Sequence, residues 1–321
     1  PDGWRPSCSL EALQARAELL RTVRAFFSER SVLEVQTAVL AGHTVTDLNI
    51  ESMTVGGIGY LQTSPEYQLK RLLAAGAPSL YQIGPVFRAG EQGRLHNPEF
   101  TLLEWYRLGF DDAMLMAEVA QLIEQVLGPG QCRTVTYSDL VGADHIDRLD
   151  ADELDLRFSE QVAGLRGRWF VTRYPADQAA LARLCPDDPS VAARFELIVD
   201  GVELANGYFE LTDADEQRRR FAADVEARRV RGLVEPTVDE KFLTAASAVM
   251  RDTAREGKAD IDRVEGGNEP ADFVALFDDF QLTDEDTEGI LKKVQLETHE
   301  HKLWRVHREG DETYFAEVEL S

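Results

Sequence analysis

A chain of 321 residues is long enough to bury a sizeable core without disulfide or metal staples. It is 44% hydrophobic and 29% charged, with no apolar run near the roughly 18 residues that a membrane helix needs, which excludes a helical membrane protein. With 34 basic against 58 acidic side chains the formal charge is −24, which repels a phosphate backbone and argues against nucleic acid as a partner.

Cys8, Cys132 and Cys185 are odd in number, far apart and outside any CxxC pattern, so neither a disulfide framework nor a zinc site is expected. The opening Pro1-Asp2-Gly3-Trp4-Arg5 lacks the basic-then-apolar pattern of a secretory signal, and a cytoplasmic location follows as the expectation.

In chain order, Ser9 predicts the cap of a helix to about Arg30, with Leu10, Leu13, Leu20 and Val23 on the side that packs against a sheet. Val32 to Gln36 and Asn49 to Val55 have strand patterns, the second ended by Gly56-Gly57. After the short Leu61-Gln62-Thr63, Ser64-Pro65-Glu66 supplies an N-cap, a first-turn proline and a first-turn acid for a helix through Leu73. Tyr81, Ile83, Pro85 and Phe87 alternate with Gln82, Gly84, Val86 and Arg88, the period of a half-buried strand, and Phe100 to Tyr106 supplies an antiparallel partner. Asp111 to Leu127 is an amphipathic helix stopped by Gly128-Pro129-Gly130, and residues 131–165 carry no clear pattern. A strand at Trp169 to Thr172 leads to a helix near Asp177 to Leu184. Phe195 to Val199 and Val202 to Tyr208 then flank the hairpin turn signal Asp200-Gly201, and a charged helix spans Asp213 to Arg231. Hairpins interrupted by helices, without a βαβ alternation, predict an α+β fold with an antiparallel sheet flanked by helices. The Rossmann and P-loop glycine signatures are absent.

Arg88, Arg94, His96, Asn97, Glu99 and Glu104 share one long hairpin. Glu104 sits between Leu103 and Trp105, and Glu203 and Asn206 interrupt another apolar strand. Buried polar groups need partners, so these residues either satisfy each other or face a polar ligand. Arg88 could hold a phosphate or carboxylate through two parallel hydrogen bonds. Glu203 and Glu210 offer two hard oxygen ligands of the kind that suits phosphate-bound magnesium, or two surface salt-bridge partners.

Gly84-Pro85-Val86-Phe87-Arg88 with Arg94-Leu95-His96-Asn97-Pro98-Glu99-Phe100-Thr101-Leu102-Leu103-Glu104-Trp105-Tyr106 resembles motif 2 of class II lysyl-tRNA synthetases. Gly201-Val202-Glu203-Leu204-Ala205-Asn206-Gly207-Tyr208-Phe209-Glu210 resembles their ligand-binding strand, and Thr63 to Arg71 completes the set over about three quarters of the chain. Within this family the Glu-Trp-Tyr ending is most similar to the truncated paralogues that ligate (R)-β-lysine onto a lysine of elongation factor P. The helix opening within the first dozen residues leaves no room in this sequence for an N-terminal anticodon-binding fold.

The resemblance implies ATP as co-substrate with magnesium, lysine or β-lysine as substrate, elongation factor P as acceptor, and a homodimer. It implies Arg88 as the catalytic residue; Arg88, Ala89, Gly90, His96, Asn97, Phe100, Glu203 and Leu204 on ATP; Ser64, Pro65, Glu66, Tyr106, Asn206 and Glu210 on the substrate; and Glu203 with Glu210 on the metal.

The sequence departs from the family at three places. Gly90 stands where motif 2 has an acid, with Glu91 following, and Ala38 stands where motif 1 ends in proline. After Asp239 to Ala245 no glycine-rich motif 3 strand ends in Asp-Arg; Asp262-Arg263 lacks an apolar strand before it, so the sheet is expected to lack a central strand and ATP one face of its clamp. Residues 246–321 instead form an acidic tail, with 9 basic and 20 acidic side chains over 247–321, and segments around 251–273 and 302–306 resemble a junction of gelsolin-type repeats that bind calcium and actin. The expected division is a synthetase-like domain over 1–245 and a tail over 246–321. A tRNA- or free-amino-acid-activating paralogue, and a catalytically impaired binding protein with a calcium- or actin-binding tail, stand as alternatives.

Overall fold

The computed structural model describes residues 8–93, 96–142, 146 and 149–246, together with the backbone of three C-terminal strands. The Ser9 backbone is extended and its Oγ accepts from the Ala12 amide at 3.1 Å, which starts helix α1 (Leu10–Glu29). The buried stripe of α1 is Ala12, Val23, Phe26 and Phe27 rather than the predicted leucine face: Leu10 and Leu13 lie 65% and 48% exposed.

Strand β1 (Leu33–Glu34) follows, and β2 (Leu40–Ala41), β3 (Thr54–Val55) and β4 (Gly59–Leu61) form a small sheet in the order β2-β4-β3. Helix α2 (Glu66–Ala74) starts one residue later than predicted, with Pro65 at its cap and Ser64 Oγ accepting from the Glu66 amide at 3.0 Å. Then come the long hairpin β5 (Leu80–Phe87) and β6 (Glu99–Arg107), and helix α3 (Asp112–Leu127), capped by Asp111.

The patternless stretch after α3 contains strand β7 (Cys132–Thr136), helix α4 (Tyr137–Val141) and helix α5 (Ala151–Gly164), the last begun by a capping box of Asp150 and Glu153. Strand β8 (Arg168–Pro175) is longer than expected. The helix predicted near Asp177 to Leu184 is instead a single 3-10 turn, 176–178, followed by strand β9 (Leu184–Cys185). Its apolar residues serve sheet packing: Ala179 and Ala182 are buried against the sheet. The hairpin β10 (Asp188–Val199) and β11 (Val202–Tyr208) precedes helix α6 (Ala214–Val230).

Nine strands make the main sheet, in the order β1-β5-β6-β12-β11-β10-β8-β7, with β9 on β10. The outer pairs β1-β5 and β7-β8 are parallel, and the pairs between them antiparallel. Strand β12 (Asp272–Asp278) corrects the expectation of an unfilled centre, because it pairs with β6 on one side and β11 on the other. It also places part of the tail in the main sheet, across the expected division at 245. Strands β13 (Leu303–Glu309) and β14 (Glu312–Val318) pair with each other. Arg94, Leu95, Arg251, Arg255, Asp262-Arg263 and most of the gelsolin-like segments lie outside the described residues.

Alternation along the strands separates two faces. Tyr81, Leu103, Trp105, Phe195 and Leu197 join Phe27 of α1 and Leu115, Val119 and Leu122 of α3 in the larger core. Leu80, Val86, Phe100, Leu102, Tyr106 and Tyr208 point the other way and pack with Leu69 of α2. Glu104 lies on this second face, between Leu102 and Tyr106 in the alternation.

Candidate functional site

Three carboxylates converge on the second face. Glu104 is fully buried. Its Oε2 accepts from Ser64 Oγ at 2.6 Å, and its Oε1 accepts from the Tyr106 hydroxyl at 3.2 Å. Glu66, in the first turn of α2, and Glu210, just beyond β11, are also buried, and Lys70 Nζ lies 2.6 Å from Glu66 Oε1 and 2.5 Å from Glu210 Oε2. Glu66 and Lys70 are four residues apart, so one helix face presents both.

Burial raises the pKa of Glu104 well above the carboxylate range, reinforced by the Glu66 charge and opposed by the Ser64 and Tyr106 hydrogen bonds. Burial pushes Glu210 up to about 8, with Lys70 pulling against it. Burial alone would lower Lys70, but Glu210 and Glu66 outweigh it and raise it, so the ammonium stays charged. Burial also raises Tyr106 and Tyr208, keeping both hydroxyls protonated as donors. The result is an acid-rich, largely water-excluded cluster with one internal cation, suited to an ammonium-bearing ligand.

A second network adjoins it across β10 and β11. Arg194 donates from Nη2 to Glu196 Oε1 at 2.7 Å, from Nη1 to the Gln178 carbonyl at 2.7 Å and from Nε to Asn206 Oδ1 at 3.3 Å. Simple alternation would turn Glu203 away from Asn206. The register prevents that: Leu197 faces Ala205 and Ile198 faces Glu203, so Leu204 is an extra, bulged residue. Leu204 and Ala205 both enter the larger core, and Glu203 emerges near Arg194 and Tyr174, where its charge contributes to the raised pKa of each. Leu204, expected at ATP, therefore turns its side chain into the opposite core.

Arg88 sits at the end of β5. Its amide donates to the Pro98 carbonyl at 3.0 Å across the hairpin, and its Nε to the Thr63 carbonyl at 3.4 Å. Its guanidinium carbon lies 5.1 Å from the Phe100 ring centroid, and Nη1 is 3.9 Å from Glu91 Oε1. Phe100 is buried with Val86 and Leu102, its ring next to Arg88. Ala89 donates to the Glu51 carbonyl at 2.7 Å, Gly90 has φ +78°, His96 is exposed and Asn97 half-buried.

The expected substrate residues Ser64, Pro65, Glu66, Tyr106 and Glu210 thus gather around Glu104, with Asn206 in the adjoining network. Of the expected metal pair, Glu210 is engaged by Lys70, and Glu203 acts with Glu196 on Arg194 and Tyr174. Among the described residues no three His, Cys, Asp or Glu side chains are grouped to hold a metal ion, and no helix is long and apolar enough to cross a membrane.

Sequence patterns do not single out Lys70, Arg194, Glu196 or Tyr208. The one available signal for Lys70 is its four-residue spacing from Glu66, and for Arg194 and Glu196 their placement on either side of Phe195 in a strand, and neither is specific to a site. Arg183 carries no such signal; it holds the Glu210 carbonyl at 2.6 Å and lies over the Phe209 ring.

Residues 4–257 match the family of class II tRNA synthetases (D, K and N). An elongation factor P (R)-β-lysine ligase of Vibrio cholerae is 40% identical over 289 residues, covering 78% of this chain and 89% of the relative. The ligase of the same name from Proteus mirabilis is 41% identical over 283 residues, 76% of this chain and 87% of its own. That of Pseudoalteromonas translucida is 39% identical over 280 residues, 75% and 86% respectively.

Proposed function

Because this chain belongs to the class II tRNA synthetase family (D, K and N), we propose that it activates lysine or (R)-β-lysine with ATP and transfers the aminoacyl group to a lysine of elongation factor P. The observation that carries the choice of amino acid is the buried cluster of Glu66, Glu104 and Glu210, with Tyr106 and Ser64 orienting Glu104. Burying three acids is unfavourable unless cations meet them, and a diamino acid brings two. The activity for which the relatives are named supports the acceptor.

In this proposal the substrate carboxylate attacks the α-phosphorus, an acyl-phosphate bond forms, and pyrophosphate leaves. Arg88, with its amide held by the Pro98 carbonyl and its side chain steadied on the Thr63 carbonyl, is placed to meet the charge that develops on the phosphate oxygens. Asn206, which accepts from Arg194, and Tyr208, which feels the Glu66 and Glu210 charges, lie on β11 beside the acid cluster. The acceptor amine of elongation factor P then attacks the activated carbonyl and releases AMP.

Magnesium would neutralise phosphate charge when bound. Glu203 and Glu210 are the residues proposed to hold it, and Lys70 on Glu210 would have to give way to the ion. A homodimer is proposed from the family resemblance.

The test is lysine-dependent ATP–pyrophosphate exchange. Replacing Arg88 by Ala is expected to lower it by about 10²–10³-fold, the scale of losing one transition-state donor. Exchange that survives in Arg88→Ala at full rate would exclude the role given to Arg88, and transfer to tRNA in preference to elongation factor P would replace the acceptor.

A further inference from the structure

Arg228, on α6 and distant in sequence from every residue assigned above, is 5% exposed. A buried guanidinium must satisfy its donors, and Arg228 does so on backbone carbonyls of two segments. Its Nε donates to Val234 O at 2.7 Å, and its Nη1 to Asp47 O at 2.5 Å and Ile50 O at 3.3 Å. One turn earlier on the same helix face, Asp224 Oδ2 accepts from the buried Thr46 hydroxyl at 2.8 Å. Helix α6 thereby grips the loop before β3 at Thr46, Asp47 and Ile50.

The next residue, Glu51, forms an antiparallel bridge with Ala89; its carbonyl accepts the Ala89 amide at 2.7 Å, and its carboxylate lies beside Gly90, 3.7 Å from where a Cβ would stand. Ala89 follows Arg88 directly. The turn that carries Arg88 is therefore fixed on one side by Pro98 within its own hairpin, and on the other by a loop whose place is set from α6.

We propose that Arg228 is a positioning residue for nucleotide binding: through Asp47 and Ile50 it sets Glu51, and through Glu51 it sets the Arg88–Ala89–Gly90 turn. The proposal rests on the adenylation proposal only in naming ATP as the ligand that turn serves. A guanidinium that merely closed the end of its own helix would need Val234 alone. The contacts to Asp47 and Ile50 are the part that reaches the site.

The full chain provides two readouts. In hydrogen exchange, Arg228→Gln is expected to speed exchange of the Ala89 amide by about tenfold or more while residues 80–86 keep their protection, because loops open locally and strands do not. In pyrophosphate exchange, the KM for ATP is expected to rise about tenfold with the KM for lysine within about twofold, the scale on which small misplacements cost rate, and Arg228→Lys is expected to recover only part because a point charge cannot span the carbonyls. Arg229→Gln, whose side chain is exposed beside Glu226, is the control and should match the unvaried protein. If Arg228→Gln does not fold, Thr46→Val removes the neighbouring tie and is expected to give the same pattern.

Unchanged Ala89 exchange in the folded variant, or an equal rise in both KM values, would overturn the proposal. A wild-type chain without pyrophosphate exchange would instead sink the adenylation proposal, and Ala89 exchange would still decide on Arg228.

Discussion

Glu104 and Glu210 are acids held where ionisation is disfavoured, and this has two consequences of known sign. An unfolded glutamate ionises near 4.5, whereas burial holds Glu210 at about 8 in the fold. Between those values the folded chain binds more protons, so the contribution of Glu210 to stability is full below 4.5 and is lost as pH rises through about 8. The denaturation midpoint of the ligand-free protein is expected to fall between pH 6 and 9, and to fall less in Glu210→Gln. Substrate has the opposite demand, since an arriving ammonium favours ionised carboxylates. Binding should release protons, and lysine affinity should rise by up to about tenfold per pH unit per proton below pH 8, while the lysine amine near 10.4 stays charged. Titration calorimetry in buffers of different ionisation heat counts those protons. A count of zero at pH 7 would mean that the acids are already ionised before lysine arrives.

At the scale of elements, the β10–β11 hairpin shows how turn chemistry sets a site. Asp200 and Gly201 both have positive φ, +50° and +88°, as a two-residue hairpin turn requires. A Cβ on Gly201 would stand 3.0 Å from the Ala163 carbonyl oxygen of α5. Gly201→Ala is therefore expected to cost about 1–2 kcal/mol in urea unfolding, combining left-handed strain with that close approach. An unchanged midpoint would show that the turn relaxes freely. This turn, the proline start of α2 and the β5–β6 hairpin were all legible, because each rests on local rules: φ preference, capping and two-residue alternation. Less local features were not. Leu204 looks like any apolar strand residue, and only the register against Leu197 and Ile198 reveals the bulge that brings Glu203 round to Asn206. Residues 177–184 have helical composition, but the edge of β10 claims Leu184 and Cys185 as a strand. The Arg228 contacts join residues 178 and 181 positions apart, beyond the reach of any periodicity.

At the scale of the whole molecule, the tail decides whether the sheet is complete. A strand without the glycines or the Asp-Arg end of motif 3 fills the centre, because a sheet needs only a run able to pair on both edges, and Asp272–Asp278 provides it. Ala275 is in register with Glu104 on β6 and with Asn206 on β11, so the strand lies between the two halves of the candidate site. A chain ending at 246 would leave both strands with open edges through the middle of the core, each lost backbone hydrogen bond removing about 1 kcal/mol from a stability of only about 5–15. Open edges also template association between chains. Truncation after 246 is thus expected to abolish cooperative unfolding and to give aggregates. Truncation after Asp278 keeps β12, and because β13 and β14 pair with each other, it should leave pyrophosphate exchange within about threefold and the melting temperature within a few degrees. Circular dichroism melts and light scattering of the two truncated proteins distinguish these outcomes. A chain of 246 residues that melts like the full protein would mean that β12 is dispensable and that the site is built by the strands on either side of it alone.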